Sequence, residues 1–223
     1  MKDTTNIEVN DCFCENSPSF AVKNASAIIL AGGESSRMGK NKSLLLIDGV
    51  PMIQHIYSQL APYFKEILVA TNNTKLFDFL NIKIVNDHET CRGPLAGISA
   101  GLEASKYDIN FMVACDIPDI DIRTVYMMID EAEGHDGVIP TTKEGYMEPM
   151  FAIYRKSMLP AVRQTLLWGE NKILKVFPYC KIKYLNLGKA DWLRNLNTEN
   201  DYTKYISELR QNELVTVENT LYT

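Results

Sequence analysis

Three glycines and three cations fall within LAGGESSRMGKNK, residues 30–42, directly after a short apolar run: Gly32, Gly33 and Gly39 with Arg37, Lys40 and Lys42. A glycine-rich turn leaves backbone N–H groups open to an anion, and Arg37 and Lys42 add charged donors. The loop is not a P-loop: five residues separate Gly33 from Gly39 where that motif has four, and Asn41 follows Lys40 in place of Ser or Thr. No G-x-G-x-x-G occurs either. An anion nest remains, or else a strand-to-helix turn with solvated charges.

Two further stretches carry chemistry. In CDIPD (115–119) Asp116 closes a strongly apolar run, with a proline two residues on. One carboxylate with substrate phosphates is a common way to hold Mg²⁺, so Asp116 is a candidate metal ligand; the alternative is an Asx-turn ending a strand. Asp119 and Asp121 are candidates to cap the next helix. In NDHETCRGPLAGI (86–98) Asp87 ends another apolar run and could meet a base edge or a ribose, or simply face solvent. The Gly93–Gly97 stretch begins a helix whose first N–H groups are available to an anion. His88 and Cys91 are too few for a metal site, and no histidine is assigned a role.

The elements that must position these residues alternate. AIILA (27–31), EILVAT (66–71), IKIVN (82–86) and INFMVAC (109–115) are expected strands, separated by helical patterns over 51–64, 76–80 and 93–105. Pro51 suits a first helical position. Continuous apolar strands alternating with helices predict an α/β fold with a mostly parallel sheet covered by helices on both faces. Ligands of such sheets sit beyond the carboxyl ends of the strands, where the glycine-rich loop and CDIPD both fall. The second half offers strands at 137–140 and 150–154, a helix near 156–168, further apolar runs at 173–177 and 182–188, and a closing helix capped by Thr198. The expected organisation is an extension over 1–24, one domain over 25–211 and a tail over 212–223.

Composition narrows the class. The 223-residue chain is 46% apolar and 23% charged with a net charge of −5, ordinary for a globular enzyme and poorly suited to binding nucleic acid or a membrane surface. With no membrane-length apolar run and no signal-like N-terminus, a cytoplasmic protein is expected. Five scattered cysteines do not make a disulfide framework, and the Cys12–Cys14 pair has no assigned role.

Taken in order, LAGGESSRMGKNK, NDHETCRGPLAGI, CDIPDI, EPMFAIY and NLNTEND resemble the molybdenum cofactor guanylyltransferases, MobA-like nucleotidyltransferases with a Rossmann-like core, from about Ala25 to Leu209. Glu199 stands where a proline is common in that family, a difference in helix start. The resemblance implies that Leu30, Ala31, Gly32 and Gly33 contact GTP largely through backbone. It also places Arg37 and Lys42 at the phosphates, Asp87 and Asn72 on the nucleotide, Asp116 on the nucleotide and Mg²⁺, and Asn195 and Asn197 on the pterin side. Arg37, Lys42 and Asp116 would be the catalytic set. The implied reaction moves GMP from GTP to the terminal phosphate of molybdenum-loaded molybdopterin, with molybdoenzyme maturation proteins as further partners. A related cytidylyltransferase and a non-catalytic nucleotide-binding adaptor remain as alternatives.

Overall fold

The structure, a computed structural model, describes residues 21–32, 41–86 and 93–221. In chain order its elements are β1 (Lys23–Leu30), the hairpin strands β2 (Leu46–Ile47) and β3 (Val50–Pro51), α1 (Met52–Leu60), β4 (Phe64–Thr71) and β5 (Lys83–Asn86). There follow α2 (Pro94–Ala104), β6 (Ile109–Ala114), α3 (Ile122–Asp130), β7 (Gly137–Thr141), β8 (Phe151–Arg155), α4 (Leu159–Leu167), β9 (Ile182–Asn186) and α5 (Glu199–Leu221). No described helix is long and apolar enough to cross a membrane.

Seven strands make one sheet in the order β5-β4-β1-β6-β8-β7-β9. Pairs β1–β4, β1–β6, β4–β5 and β7–β9 are parallel, whereas β8 runs antiparallel to both β6 and β7. The mostly parallel sheet is therefore as expected, with a single reversal at β8 that the apolar pattern does not announce.

Strand side chains alternate between two apolar layers. Ala27 and Ile29 of β1, with Phe111 and Val113 of β6, pack with residues of α1, α3 and α5. Ile28, Leu30 and Met112 pack with residues of α2 and α4 on the other face. Helix α2 sits unusually close to β1: a Cβ at Gly101 would lie 2.7 Å from Ile28 Cγ2.

Several boundaries differ from the sequence reading for identifiable reasons. β1 starts at Lys23, inside the expected extension, because Lys23 pairs with Phe64. Pro51 is the N-cap of α1 and the last residue of β3 rather than the first helical residue. The run 173–177 makes 3-10 turns at Ile173–Lys175 and Phe177–Tyr179, where Pro178 has no N–H to give a ladder. Thr198 caps α5 as expected, in a reciprocal box. Its Oγ1 accepts from Asp201 N–H at 3.1 Å, and Asp201 Oδ2 accepts from Thr198 N–H at 2.8 Å. The helix runs on to Leu221, through most of the expected tail.

Gly101→Ala should destabilise the protein by about 1–3 kcal/mol, because the added methyl has no room against a buried β-branched residue. Urea unfolding measures this, and a midpoint equal to the parent's would mean that α2 can move off the sheet freely.

Candidate functional site

The carboxyl ends of β1 and β6 lie side by side, with Cys115 N–H donating to Leu30 O at 3.0 Å. A cleft of about 430 Å³ opens there. Its lining includes Leu30, Ala31, Gly32, Lys42 and Asp116, together with Glu148, Asn195 and Asn197. Its edge is formed by Gly93, Pro94 and Gly97 at the start of α2, so the positive end of that helix faces the space.

Lys42 is placed by a short 3-10 turn, Lys42–Leu44. Asn41 caps it, its Oδ1 accepting from the N–H of Ser43 at 3.0 Å and from its hydroxyl at 2.5 Å. The hairpin that follows turns at Asp48 and Gly49, both at positive φ (48° and 82°), the geometry an Asp-Gly pair provides. From this base the Lys42 ammonium reaches Asp116 Oδ2 at 3.2 Å and Asn197 Oδ1 at 3.0 Å. The Lys42 and Asp116 side chains retain only 16% and 21% of their exposure, which strengthens the attraction relative to water.

Asp116 leaves β6 in a turn clamped from α1. Gln59 donates to Pro118 O at 2.7 Å and accepts from Ile120 N–H at 3.0 Å. Leu196 N–H donates to Asp116 O at 2.8 Å, which joins the loop carrying Asn195 and Asn197 to the same turn. Asp121 caps α3, as one reading of the sequence had it. Asp119 does not: it accepts from the Tyr205 hydroxyl at 2.7 Å and faces Arg194 at 3.7 Å, securing α5 behind the site.

Lys42, Asp116, Asn195 and Asn197 thus meet in one cleft with Leu30, Ala31 and Gly32. Asn72 stands exposed beyond β4 and outside the cleft wall. Gly33, Arg37 and Asp87 lie outside the described residues. Two residues without a role in the sequence reading join the site. Asn41 adjoins Lys42, and Glu148 accepts from Asn195 Nδ2 at 2.8 Å; the only sequence signal for Glu148 is its place at the head of EPMFAIY. His55 and His135 are not in the wall. Cys115 is, but burial, and then the Asp116 carboxylate, push its thiol up to about 12, so it is protonated and a poor nucleophile at neutral pH.

One carboxylate is a donor set suited to Mg²⁺, which takes its other ligands from phosphates and water. Among the described residues there is no group of three or more His, Cys, Asp and Glu that could hold a metal without such help.

The family model of the MobA-like NTP transferase domain matches residues 27–180. The probable molybdenum cofactor guanylyltransferase of Carboxydothermus hydrogenoformans is 35% identical over 192 residues, covering 83% of this chain and 96% of that protein. Among solved structures, the molybdopterin-guanine dinucleotide biosynthesis protein A of Archaeoglobus fulgidus superposes with a TM-score of 0.71 at 22% identity, over 84% of this chain and 99% of that one. A CMP:2-keto-3-deoxy-manno-octonic acid synthetase complexed with CTP does so with a TM-score of 0.69 at 16% identity, over 85% and 100% of the two chains. At those identities the superpositions speak for the fold.

Cys115 should react with iodoacetamide at pH 8 at least roughly ten times more slowly than free cysteine, since little of it is thiolate there. Peptide mass mapping over time reads the rate, and labelling at the free-thiol rate would mean that the cleft does not hold the thiol protonated.

Proposed function

The chain belongs to the MobA-like NTP transferase family, and from that premise we propose that it transfers GMP from GTP to the terminal phosphate of molybdenum-loaded molybdopterin. The observation carrying the proposal is the meeting of Lys42, Asp116 and Asn197 at the carboxyl ends of β1 and β6, in a chain whose relative over nearly its full length bears the guanylyltransferase name.

In the proposed reaction an acceptor phosphate oxygen attacks the α-phosphorus of GTP. The bond from that phosphorus to the bridging oxygen breaks, and pyrophosphate leaves with the electron pair. The nucleophile arrives ionised, so no general base is needed, in keeping with a cleft wall that carries a protonated thiol and neither His55 nor His135. What the protein must do is position two anions and neutralise the charge that shifts toward pyrophosphate. Lys42 stands where its ammonium can meet a phosphate oxygen while still near Asp116. The positive end of the α2 dipole faces the cleft and favours the triphosphate, while the Ala31 N–H is already committed to Ala70 O. Arg37 and Gly33 in the glycine-rich loop, and Asp87 and Asn72 beyond β5 and β4, are assigned to the nucleotide on the sequence resemblance. Asp116 is the residue proposed to hold Mg²⁺, which would supply further neutralisation of the pyrophosphate.

Base choice separates this proposal from its nearest alternative, since the same fold occurs in a synthetase complexed with CTP. With Mg²⁺ and molybdenum-loaded molybdopterin, pyrophosphate should appear with GTP and not with ATP, CTP or UTP. Release with CTP would make the protein a cytidylyltransferase, and release with none would make it a nucleotide-binding adaptor. Lys42→Ala and Asp116→Ala should each lower kcat/KM by about 10²–10³ with the far-UV circular dichroism of the parent. Near-parental turnover in either variant would remove that residue from the mechanism.

A further inference from the structure

Two amides in the cleft lining, Asn195 and Asn197, are committed in opposite senses. Asn197 Oδ1 accepts from the Lys42 ammonium at 3.0 Å, which leaves its Nδ2 as the group to offer. Asn195 Nδ2 donates to Glu148 Oε2 at 2.8 Å, which leaves its Oδ1. The assignment follows from the partners: an ammonium only donates and a carboxylate only accepts, so neither amide can be turned over without loss. No described residue donates to Asn195 Oδ1 or accepts from Asn197 Nδ2. The cleft therefore presents an acceptor at Asn195 and a donor at Asn197, on either side of the buried Leu196.

Glu148 sits on a rigid turn. Its Oε1 accepts from Met150 N–H at 3.2 Å. Its own N–H donates to Pro140 O at 3.1 Å, and its carbonyl accepts from Phe151 N–H at 3.2 Å. The carbonyl of Pro149 is held at 2.8 Å by the hydroxyl of Tyr154, a fully buried side chain. The Phe151 ring meets Trp192 edge-on, centroids 5.2 Å apart, which binds the Glu148 turn to the segment leading into Asn195.

We propose that Glu148 is a positioning residue for the acceptor substrate. By holding Asn195 Nδ2 it presents Asn195 Oδ1 to a ring N–H or amino group, while Asn197 Nδ2, beside the Lys42 ammonium, meets a phosphate oxygen of the same molecule. This rests on the proposed guanylyl transfer, in which the acceptor carries both an aminopyrimidinone ring and a terminal phosphate. A carboxylate lining a cleft for two anions is otherwise unfavourable, since it repels both; orienting an amide gives it a purpose there.

Glu148→Gln separates positioning from a mere tie between loops. Met150 N–H selects the Gln oxygen, so the Gln NH₂ faces Asn195, whose amide turns over and keeps the bond. The loops stay joined, but the cleft meets Nδ2 in place of Oδ1. In Glu148→Gln/Asn195→Asp the Gln donates to one Asp oxygen, and the other restores an acceptor to the cleft.

The test is equilibrium dialysis of the full-length protein and both variants against molybdopterin and, separately, GTP, with melting temperatures recorded alongside. Glu148→Gln should weaken molybdopterin binding at least about tenfold, with GTP binding no weaker than the parent's and melting unchanged, and the double variant should regain most of the loss. Molybdopterin affinity equal to the parent's in Glu148→Gln, an equal loss for GTP, or no recovery in the double variant would overturn the proposal. Dialysis requires no turnover. A parent protein that binds molybdopterin but releases no pyrophosphate with any nucleotide therefore refutes the transfer reaction while the variants still decide the role of Glu148, and a parent that does not bind molybdopterin overturns both.

Discussion

The ammonium of Lys42 is the point at which distant parts of the chain close on one another: Asp116 lies 74 residues on and Asn197 155 residues on. A part-buried ion pair contributes little net stability, because lost hydration offsets most of the attraction. Its position is instead secured from outside, by the Asn41-capped turn beneath Lys42, the Gln59 clamp on the Asp116 turn, and the Asp201 carboxylate that gathers the N–H groups of Asn197 and Thr198. Three separately anchored segments thus present one positive and one negative group to the same space. That is a prepared electrostatic environment rather than a strut.

The part of the cleft formed by Glu148, Asn195 and Asn197 depends on the reversal of β8. In a parallel sheet each strand brings its carboxyl end to the ligand edge and sends its amino end away. Because β8 pairs antiparallel with β6 and β7, its amino end arrives at that edge, and the turn before it carries Glu148 and Met150 into the cleft. β9, parallel to β7, finishes on the same edge and delivers the loop with Asn195 and Asn197. α5 then returns across the α1–α3 layer, where Tyr205 on Asp119 and Tyr202 on the carbonyl of Leu46 hold it.

These relations explain what could be read from the sequence. β1, β6 and the second half of β4 stand out because they are buried on both faces and so read as uninterrupted apolar runs. Lys42 and Asp116 stand out because they sit just past the ends of such runs, where a parallel sheet exposes its ligand edge. Asn195 and Asn197 have no such marker, since an asparagine in a polar loop looks the same whether or not it faces a cleft; only the family resemblance singles them out. Glu148 is harder still, because its position follows from the direction of β8, and strand direction leaves no trace in local periodicity. Asp119 shows the converse. Two residues before Asp121 it has a helix cap's composition, yet a tyrosine 86 residues away claims it. Asn72, matched on resemblance, stands outside the cleft wall.

Two parts of the lining differ in the kind of contact they offer. The side built on β1 and α2 presents mainly main chain and the positive end of a helix, whose field favours an anion regardless of side-chain identity. The side built on the loops before β8 and after β9 presents side chains whose donors and acceptors are fixed by neighbours, and such contacts discriminate because a mismatched polar group is left without a partner. Under the proposed reaction, loop sequence on that second side can therefore change with little effect on phosphate binding. Lys42 is the exception, since it touches both Asp116 and Asn197. A shift of its ammonium toward a phosphate would loosen the hold on the Asn197 amide at the same time. Under the proposed reaction, then, the charge of the nucleotide and the orientation of an acceptor-binding amide are coupled through one side chain.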